Sequence, residues 1–389
     1  VENRFANLPV HSAQYAVQAI DAVLADAITS KASDIHLQPR ADGWEVLYRI
    51  DGVLAPVGAL ARHSDCDPVT RLMVLAGLPT YRDTQPMEGR LNWTSSTVAT
   101  ENDGDVSMRL GVFPSVHGPR AVVRLLRRND QFDSIESLGL PDRVREQLIT
   151  MSERTSGAVL LAGPAGSGKT TTMYAMLRRI AGMRPRRSVV TIEDPVESLI
   201  DSISQSEINR GGGMTLASAL RSAVRQDSEV LLVSEIRDPE TAQAVMQASL
   251  TGHLIFSSIH AGDIPAALRR LVQFGVPPHA IRSGIGAVVC QRLLRRLCSS
   301  CHGNGCDACS DTGYHGRLPI AGALTLDGID PIGDALADSL ERGDSLGAMR
   351  QCMVDAAASS GMDDLRSCAE SYVQQGWTDE KEVYRVLGG

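Results

Sequence analysis

Lysine is almost missing from this 389-residue chain: it stands at Lys31, Lys169 and Lys381 and nowhere else, so nearly all of the 38 basic residues are arginine. A compact ammonium and a planar guanidinium are not interchangeable at a phosphate, so a lysine kept in an arginine-rich chain marks a place where the chemistry asks for one. Aromatics make up 4%, and the 43% apolar content is therefore mainly aliphatic. Positive charge is also short, 38 basic against 46 acidic residues for a net −8. That balance excludes a general polyanion-binding surface and argues for no nucleic-acid partner. No apolar run approaches the ~18 residues of a membrane span, and VENRFANLPVHSAQ lacks the basic stretch and apolar run of a secretory signal. The chain reads as cytoplasmic, with no direct membrane span, and its opening Val1 reads as a trimmed or processed start. Ordinary charge and hydrophobicity exclude disorder, collagen and coiled coil.

At about 150 residues per domain, the length predicts two or three domains. Val17, Ile20, Val23, Leu24 and Ile28, spaced by three and four, predict an amphipathic helix over 15–29. Residues 34–38 and 44–50 read as strands joined at Asp42-Gly43, with a second turn at Asp51-Gly52. A helix near 69–76 and strands over 89–94, 106–112 and 120–126 complete a smaller α+β domain, 1–128. The pattern breaks at RRNDQFDS, and 129–136 is the expected linker. From 137 to 389 the order changes to strands (158–161, 188–192, 230–233, 254–257) alternating with helices (141–151, 170–180, 239–250). Near-continuous apolar strands between helices predict an α/β fold whose parallel sheet is covered on both faces. Residues 330–389 read as a polar helical end.

Residues 163–170, GPAGSGKT, match G-x-x-x-x-G-K-[ST], after the apolar run AVLL and before a helical pattern. In this reading Gly163, Pro164, Ala165, Gly166, Ser167 and Gly168 form the phosphate cradle, the glycines letting backbone N–H groups turn inward. Lys169 reaches the β and γ phosphates, and Thr170, followed by Thr171, is placed to ligate Mg²⁺. A glycine turn that merely joined strand to helix would need neither the Lys nor the Thr. Glu235, after Val230-Leu231-Leu232-Val233-Ser234, is the Walker B candidate for the Mg²⁺ water shell. In TIEDPVES, Glu193 is the candidate for orienting or deprotonating the attacking water. His253 and His260 in TGHLIFSSIHAGD read equally as phosphate contacts or as ordinary surface imidazoles.

Four of the eight cysteines, Cys298, Cys301, Cys306 and Cys309, form two C-x-x-C pairs four residues apart. Paired thiolates at that spacing predict a closed, structural Zn²⁺ knuckle over 298–309 rather than disulfides. Cys66, Cys290, Cys352 and Cys368 are scattered and read as small buried hydrophobes.

Taken in order, ASDIHLQP, YRIDGVL, GPAGSGKTTTMYA, TIEDPVE, RQDSEVLLVSEIRDPETAQ, QASLTGHLIFSSIHA and the cysteine segment resemble the secretion ATPases of type II secretion and type IV pilus assembly. The resemblance implies a homo-hexamer of two-domain subunits, with a PAS-like N-terminal domain and a RecA-like domain that hydrolyses ATP with Mg²⁺. It also implies a partner, the inner-membrane platform protein of a secretion or pilus system, at which the hexamer sits peripherally. In such a motor TIEDPVE is the Asp box carrying catalytic Glu193, and TGH…H is the His box with His253 and His260. Arg109 and Arg120, with Arg124 less firmly matched, would act on the γ phosphoryl group from the N-terminal domain. The zinc module favours filament extrusion over retraction. Two departures stand out: Ser234 replaces the Gly usual before the Walker B Glu, and the extra N-terminal docking domain of many assembly ATPases is not in this stretch. The alternatives are a zinc-containing nucleotide-binding scaffold with little turnover and a retraction or DNA-uptake motor.

Overall fold

Alternation of apolar and polar residues builds the first sheet. In the computed structural model, which describes residues 3–62, 67–81, 85–93, 106–127, 132–360 and 364–388, the chain divides into two units, Val1–Asn129 and Asp130–Gly389. The first unit contains α1 (Tyr15–Thr29), β1 (Asp34–Pro39), β2 (Gly43–Ile50), β3 (Val53–Ala61), α2 (Pro68–Leu75), β4 (Met87–Leu91), β5 (Val106–Phe113) and β6 (Arg120–Arg127). Its six strands run in the order β3-β2-β1-β6-β5-β4, every pair antiparallel. One face buries Ile35, Leu37, Leu110, Ala121 and Val123 against Ile20, Val23 and Leu24 of α1. The Tyr48 hydroxyl donates to the Val23 carbonyl across that core at 2.8 Å. Asp67 caps α2 by accepting from the Val69 amide, with Pro68 in the first turn. The sequence pattern does not reveal β3, because Pro56 and Gly58 interrupt it; both are tolerated there because β3 is an edge strand. Thr94, Cys66 and residues 129–131 of the expected linker lie outside the described residues.

The second unit continues with α3 (Asp142–Glu153), β7 (Gly157–Ala162), α4 (Lys169–Gly182), β8 (Val189–Glu193), β9 (Ser204–Glu207), α5 (Leu216–Ala223) and β10 (Val230–Ile236). Then come α6 (Pro239–Leu250), β11 (Leu254–Ile259), α7 (Ile264–Gln273), α8 (Pro278–Gly284), β12 (Ile285–Leu297) and β13 (Tyr314–Thr325). Four helices end the chain: α9 (Pro331–Glu341), α10 (Leu346–Ser360), α11 (Leu365–Gln374) and α12 (Glu380–Leu387). The strands order as β13-β12-β7-β11-β10-β8-β9. Successive residues of one strand serve two cores: Leu231 and Val233 pack with α5, α6 and α7, whereas Val230 and Leu232 pack with α3 and α4. Burial on both faces explains why these strands read as unbroken apolar runs.

One pairing departs from the expected parallel rule. β12 runs parallel to β7, but β13 returns antiparallel along it from Thr325 opposite Ala287 to Tyr314 opposite Leu297. An antiparallel return needs only a turn and no crossover helix, and the cysteine segment is that turn. The helical end splits accordingly. α9 and α10 join the core beside α7, while α11 and α12 pack on the hairpin through Leu294, Ile320, Cys368 and Val383.

Candidate active site

The carboxyl ends of parallel strands form the edge at which an α/β sheet binds ligands. GPAGSGKT leaves β7 at that edge and enters α4. Gly163, Gly166 and Gly168 take φ of 156°, 74° and 91°, and two of them leave no room for a side chain. A Cβ at Gly163 would lie 2.4 Å from Ser167 Oγ and 2.6 Å from the Gln291 carbonyl, and one at Gly168 would lie 2.6 Å from Gln291 Nε2. Lys169 Nζ donates to the carbonyls of Gly163 (2.9 Å) and Pro164 (2.8 Å). Burial, then the neighbouring Arg292, lower this ammonium to about 8, and no carboxylate pairs with it among the described residues. The Ser167 hydroxyl is buried without a hydrogen-bond partner. A closed glycine cradle, a lysine answered only by carbonyls and an orphaned hydroxyl fit a phosphate group.

Glu235 and His260 meet at the same edge, His260 Nε2 lying 3.3 Å from Glu235 Oε2, with Arg237 on the other carboxylate oxygen. Burial first, then Lys169, Arg237 and Arg270, lower the His260 imidazole below its usual range. It is therefore neutral at neutral pH, and its approach to Glu235 is a contact between imidazole and carboxylate rather than an ion pair. Ser234 Oγ is buried and unpartnered next to this carboxylate, and the Ser258 hydroxyl donates to the Ser234 carbonyl at 2.8 Å. Ser234 and Glu235 offer the hard oxygen donors that Mg²⁺ and its water shell take.

Glu193 ends β8 on the same edge, and its carboxylate is bonded to side chains of α4, β8 and β9. β8 stands three strand spacings from β7, roughly 14 Å. The carboxylate is 2% exposed. Tyr174 Oη donates to Oε2 at 2.5 Å, and Oε1 accepts from Thr191 Oγ1 (2.5 Å) and Gln205 Nε2 (3.2 Å). Burial, then the bond to Glu193, push the Tyr174 phenol well above its usual range.

His253 is elsewhere. Leu254 pairs with Gly157 and Ile259 with Ala162, so His253 precedes the first pair and His260 follows the last, roughly 23 Å apart along the strand. His253 Nδ1 lies 3.3 Å from the Ala248 carbonyl at the end of α6. Within the described arrangement it does not join the phosphate edge, because the six residues of β11 separate the two histidines.

Arg109, Arg120 and Arg124 share the helix-free face of the first unit's sheet, where Arg109 is registered with Arg124 and Arg120 with Phe113. Arg109 pairs with Glu88 at 3.0 Å and Arg124 with Asp34 at 3.2 Å. Arg120 donates to His36 Nδ1 at 3.0 Å, and its Nε is buried without a partner. Burial, then Arg120, hold the His36 imidazole below its usual range and so in its accepting form.

The sequence gives no signal for Gln291 and Arg292, because neither belongs to a local motif. Gln291 accepts from Thr172 Oγ1 at 2.9 Å and backs the glycine loop. Arg292 reaches across to the Gly262 carbonyl at 2.6 Å and meets no carboxylate among the described residues. Tyr174 and Gln205 are missed for the same reason, since the topology brings them to Glu193, whereas Thr191 stands two residues before it on the same face of β8.

At the tip of the β12–β13 hairpin, the sulfurs of Cys298, Cys301, Cys306 and Cys309 lie within 4.8 Å of one another. Three of the pairs are 3.7–3.8 Å apart, close to the edge of about 3.8 Å that a tetrahedron with 2.3 Å metal–sulfur bonds requires. The Gly313 amide donates to Cys309 Sγ at 3.3 Å. A Cβ at Gly313 would lie 2.5 Å from the Gly303 carbonyl, so the turn closes only over glycine. The cluster can hold a metal ion. Of the scattered cysteines, Cys290 and Cys368 are buried and Cys352 is partly so.

Over 378 residues the chain is 36% identical to the type II secretion system protein HxcR of Pseudomonas aeruginosa, covering 95% of this chain and 77% of that one. It is 34% identical over 388 residues to the type IV pilus assembly ATPase PilB of Thermus thermophilus, covering 93% of this chain and 42% of that one. Among solved structures it resembles the ATPase DotB of Yersinia pseudotuberculosis, with a TM-score of 0.70, 18% identity, and coverage of 100% and 96% of the two chains. The pilus retraction motor PilT with bound ADP gives a TM-score of 0.63 at 22% identity, covering 94% and 96%. At these identities the structures show the fold alone. Residues 10–385 match the family described as Type II/IV secretion system protein, and together with the relatives above this places the chain as a member of that family.

Proposed function

We propose that this chain is a Mg²⁺-dependent ATPase that works as a homo-hexamer on the cytoplasmic side of the inner membrane. ATP hydrolysis there would displace a membrane platform protein and so power type II secretion or type IV pilus assembly. The observation that carries this reading is the convergence, on one sheet edge, of a glycine loop with no room for a Cβ at Gly163, the Lys169 ammonium bonded to loop carbonyls and the Glu235–His260 pair.

In this mechanism the loop amides and Lys169 bind the β and γ phosphates and hold them in line. Mg²⁺, held by Thr170 with Ser234 and Glu235 on its water shell, would neutralise phosphate charge. Neutral His260 senses the γ phosphate, and Glu193 orients the attacking water. Arg109 and Arg120 stabilise charge on the γ oxygens when the N-terminal domain of the same or a neighbouring subunit closes on the site. The cysteine turn holds Zn²⁺ in a closed, structural site.

The test is phosphate release against protein concentration, with mass by light scattering on the same samples. Turnover that rises with the hexamer supports the motor and its trans-acting arginines. A well-formed hexamer that binds ATP without turnover supports the scaffold instead.

A further inference from the structure

Within the ATPase reading, one arrangement is paradoxical. The residue that must accept or orient a water has no access to one. Both oxygens of Glu193 are occupied by three donors, and the side chain is 2% exposed. No cation pairs with it among the described residues. A carboxylate buried among neutral donors alone is costly, so this is a state that the surrounding structure has to hold in place.

We infer that Tyr174 is a latch that withholds Glu193 from the site until ATP binds, and that its release is the step that arms hydrolysis. The Tyr174 hydroxyl is saturated. It donates to Glu193 and accepts the amides of Glu197 (3.1 Å) and Ser198 (3.3 Å), which is one donor and two acceptor positions, all that a hydroxyl has. One atom thus ties the carboxylate to the backbone that follows it. Gln205 doubles the tie, donating to Glu193 and to the Ser198 carbonyl (3.0 Å) while accepting from the Ile200 amide at 2.7 Å. Tyr174 therefore cannot withdraw from Glu193 without releasing the Glu197 and Ser198 amides.

The trigger lies on the same helix. α4 starts at Lys169, and Tyr174 stands five residues on, roughly 7.5 Å along the axis. Lys169 now bonds to loop carbonyls and must exchange them for phosphate oxygens when nucleotide arrives. A rigid helix carries any shift of its first turn to Tyr174. The γ phosphate then offers Glu193 what the buried site lacks, a water to orient. Tyr174 acts here as a positioning residue and touches no substrate.

Hydrogen exchange on the full-length wild-type chain tests this, with nucleotide binding measured on the same samples. The β,γ-imido analogue of ATP with Mg²⁺ should speed exchange at the Glu197 and Ser198 amides by roughly tenfold, the scale of losing one net hydrogen bond. ADP should not. An analogue that binds and leaves both amides protected overturns the latch, whereas an analogue that does not bind at all overturns the ATPase reading instead.

Tyr174→Phe gives the second measurement. It should raise kcat for ATP about three- to tenfold, the same hydrogen-bond scale, with KM within about twofold, and the gain should vanish in a Glu193→Gln background. A lower kcat at an unchanged melting temperature would mean that Tyr174 holds Glu193 in its working position, and the latch would be wrong. Turnover that survives Glu193→Gln alone removes the role of Glu193.

Discussion

The phosphate edge and the cysteine turn are built in opposite ways. The four cysteines lie within twelve consecutive residues, and a hairpin needs only its own glycines to bring the sulfurs together. The phosphate edge draws Lys169, Glu235, His260 and Gln291 from four strand ends spread over more than a hundred residues, and the sheet order decides which of them meet. A local site is complete once its motif is present. A distributed one is complete only when the topology agrees, which is why His253 carries motif spacing yet lies at the opposite end of its strand from the loop.

Experiments that break one region and spare the other sharpen this contrast. The largest effect is expected from Lys169→Ala, which removes the only ammonium in the loop. ATP affinity should fall by roughly 100-fold or more, the scale of two charge-assisted hydrogen bonds, while the melting temperature stays within about 2 °C. Calorimetric titration checks it, and binding that survives would sink the site assignment.

Chelation of the metal should act in reverse. The segment 298–313 should lose exchange protection because metal binding and local folding are one process in such turns. Nucleotide affinity should hold within about twofold, since among the described residues the hydrogen bonds of the four cysteine sulfurs stay within 298–313. A concurrent loss of ATP binding would show that the two regions are one.

The hairpin has a second anchor. Glu382 of α12 is fully buried and takes bonds from the Arg295 amide and guanidinium and from Arg385. Hydrogen bonds to both arginines outweigh burial and lower its carboxyl below the usual range. Glu382→Ala should cost about 1–3 kcal/mol, because it leaves the Arg295 amide and the partly buried Arg295 guanidinium without their acceptor; denaturant melts measure this. The smallest effect belongs to the histidines. His260→Ala should lower kcat by about tenfold or more, whereas His253→Ala should leave kcat and KM within about twofold. Equal losses would restore His253 to the site.

Much of the fold is legible because two periodicities are clean: three-and-four spacing marks α1, and unbroken apolar runs mark β7, β10 and β11. β12 and β13 are harder. IGAVVCQRLLRRL mixes apolar and basic residues in a way that suits a helix as well as a strand, and only pairing with β7 and β13 decides it. GPAGSGKT and the cysteines are legible as chemistry at fixed offsets. Gln291, Arg292 and Tyr174 are not, because each depends on a neighbour more than a dozen residues away.

The length of β12 has a mechanical consequence. Its pairing with β7 ends where Cys290 meets Ala162, yet the strand runs on to Leu297, braced only by β13 on its ladder side. Gln291, wedged behind the glycine loop, sits at the fulcrum. The cysteine turn starts seven residues further out, roughly 23 Å of extended backbone. Leu294 and Ile320 of the overhang pack with Cys368 and Val383 of α11 and α12, which stiffens it. By that length a tilt of about 5° at the phosphate end is about 2 Å at the tip, so the cysteine turn is where the smallest change in the set of β12 is largest.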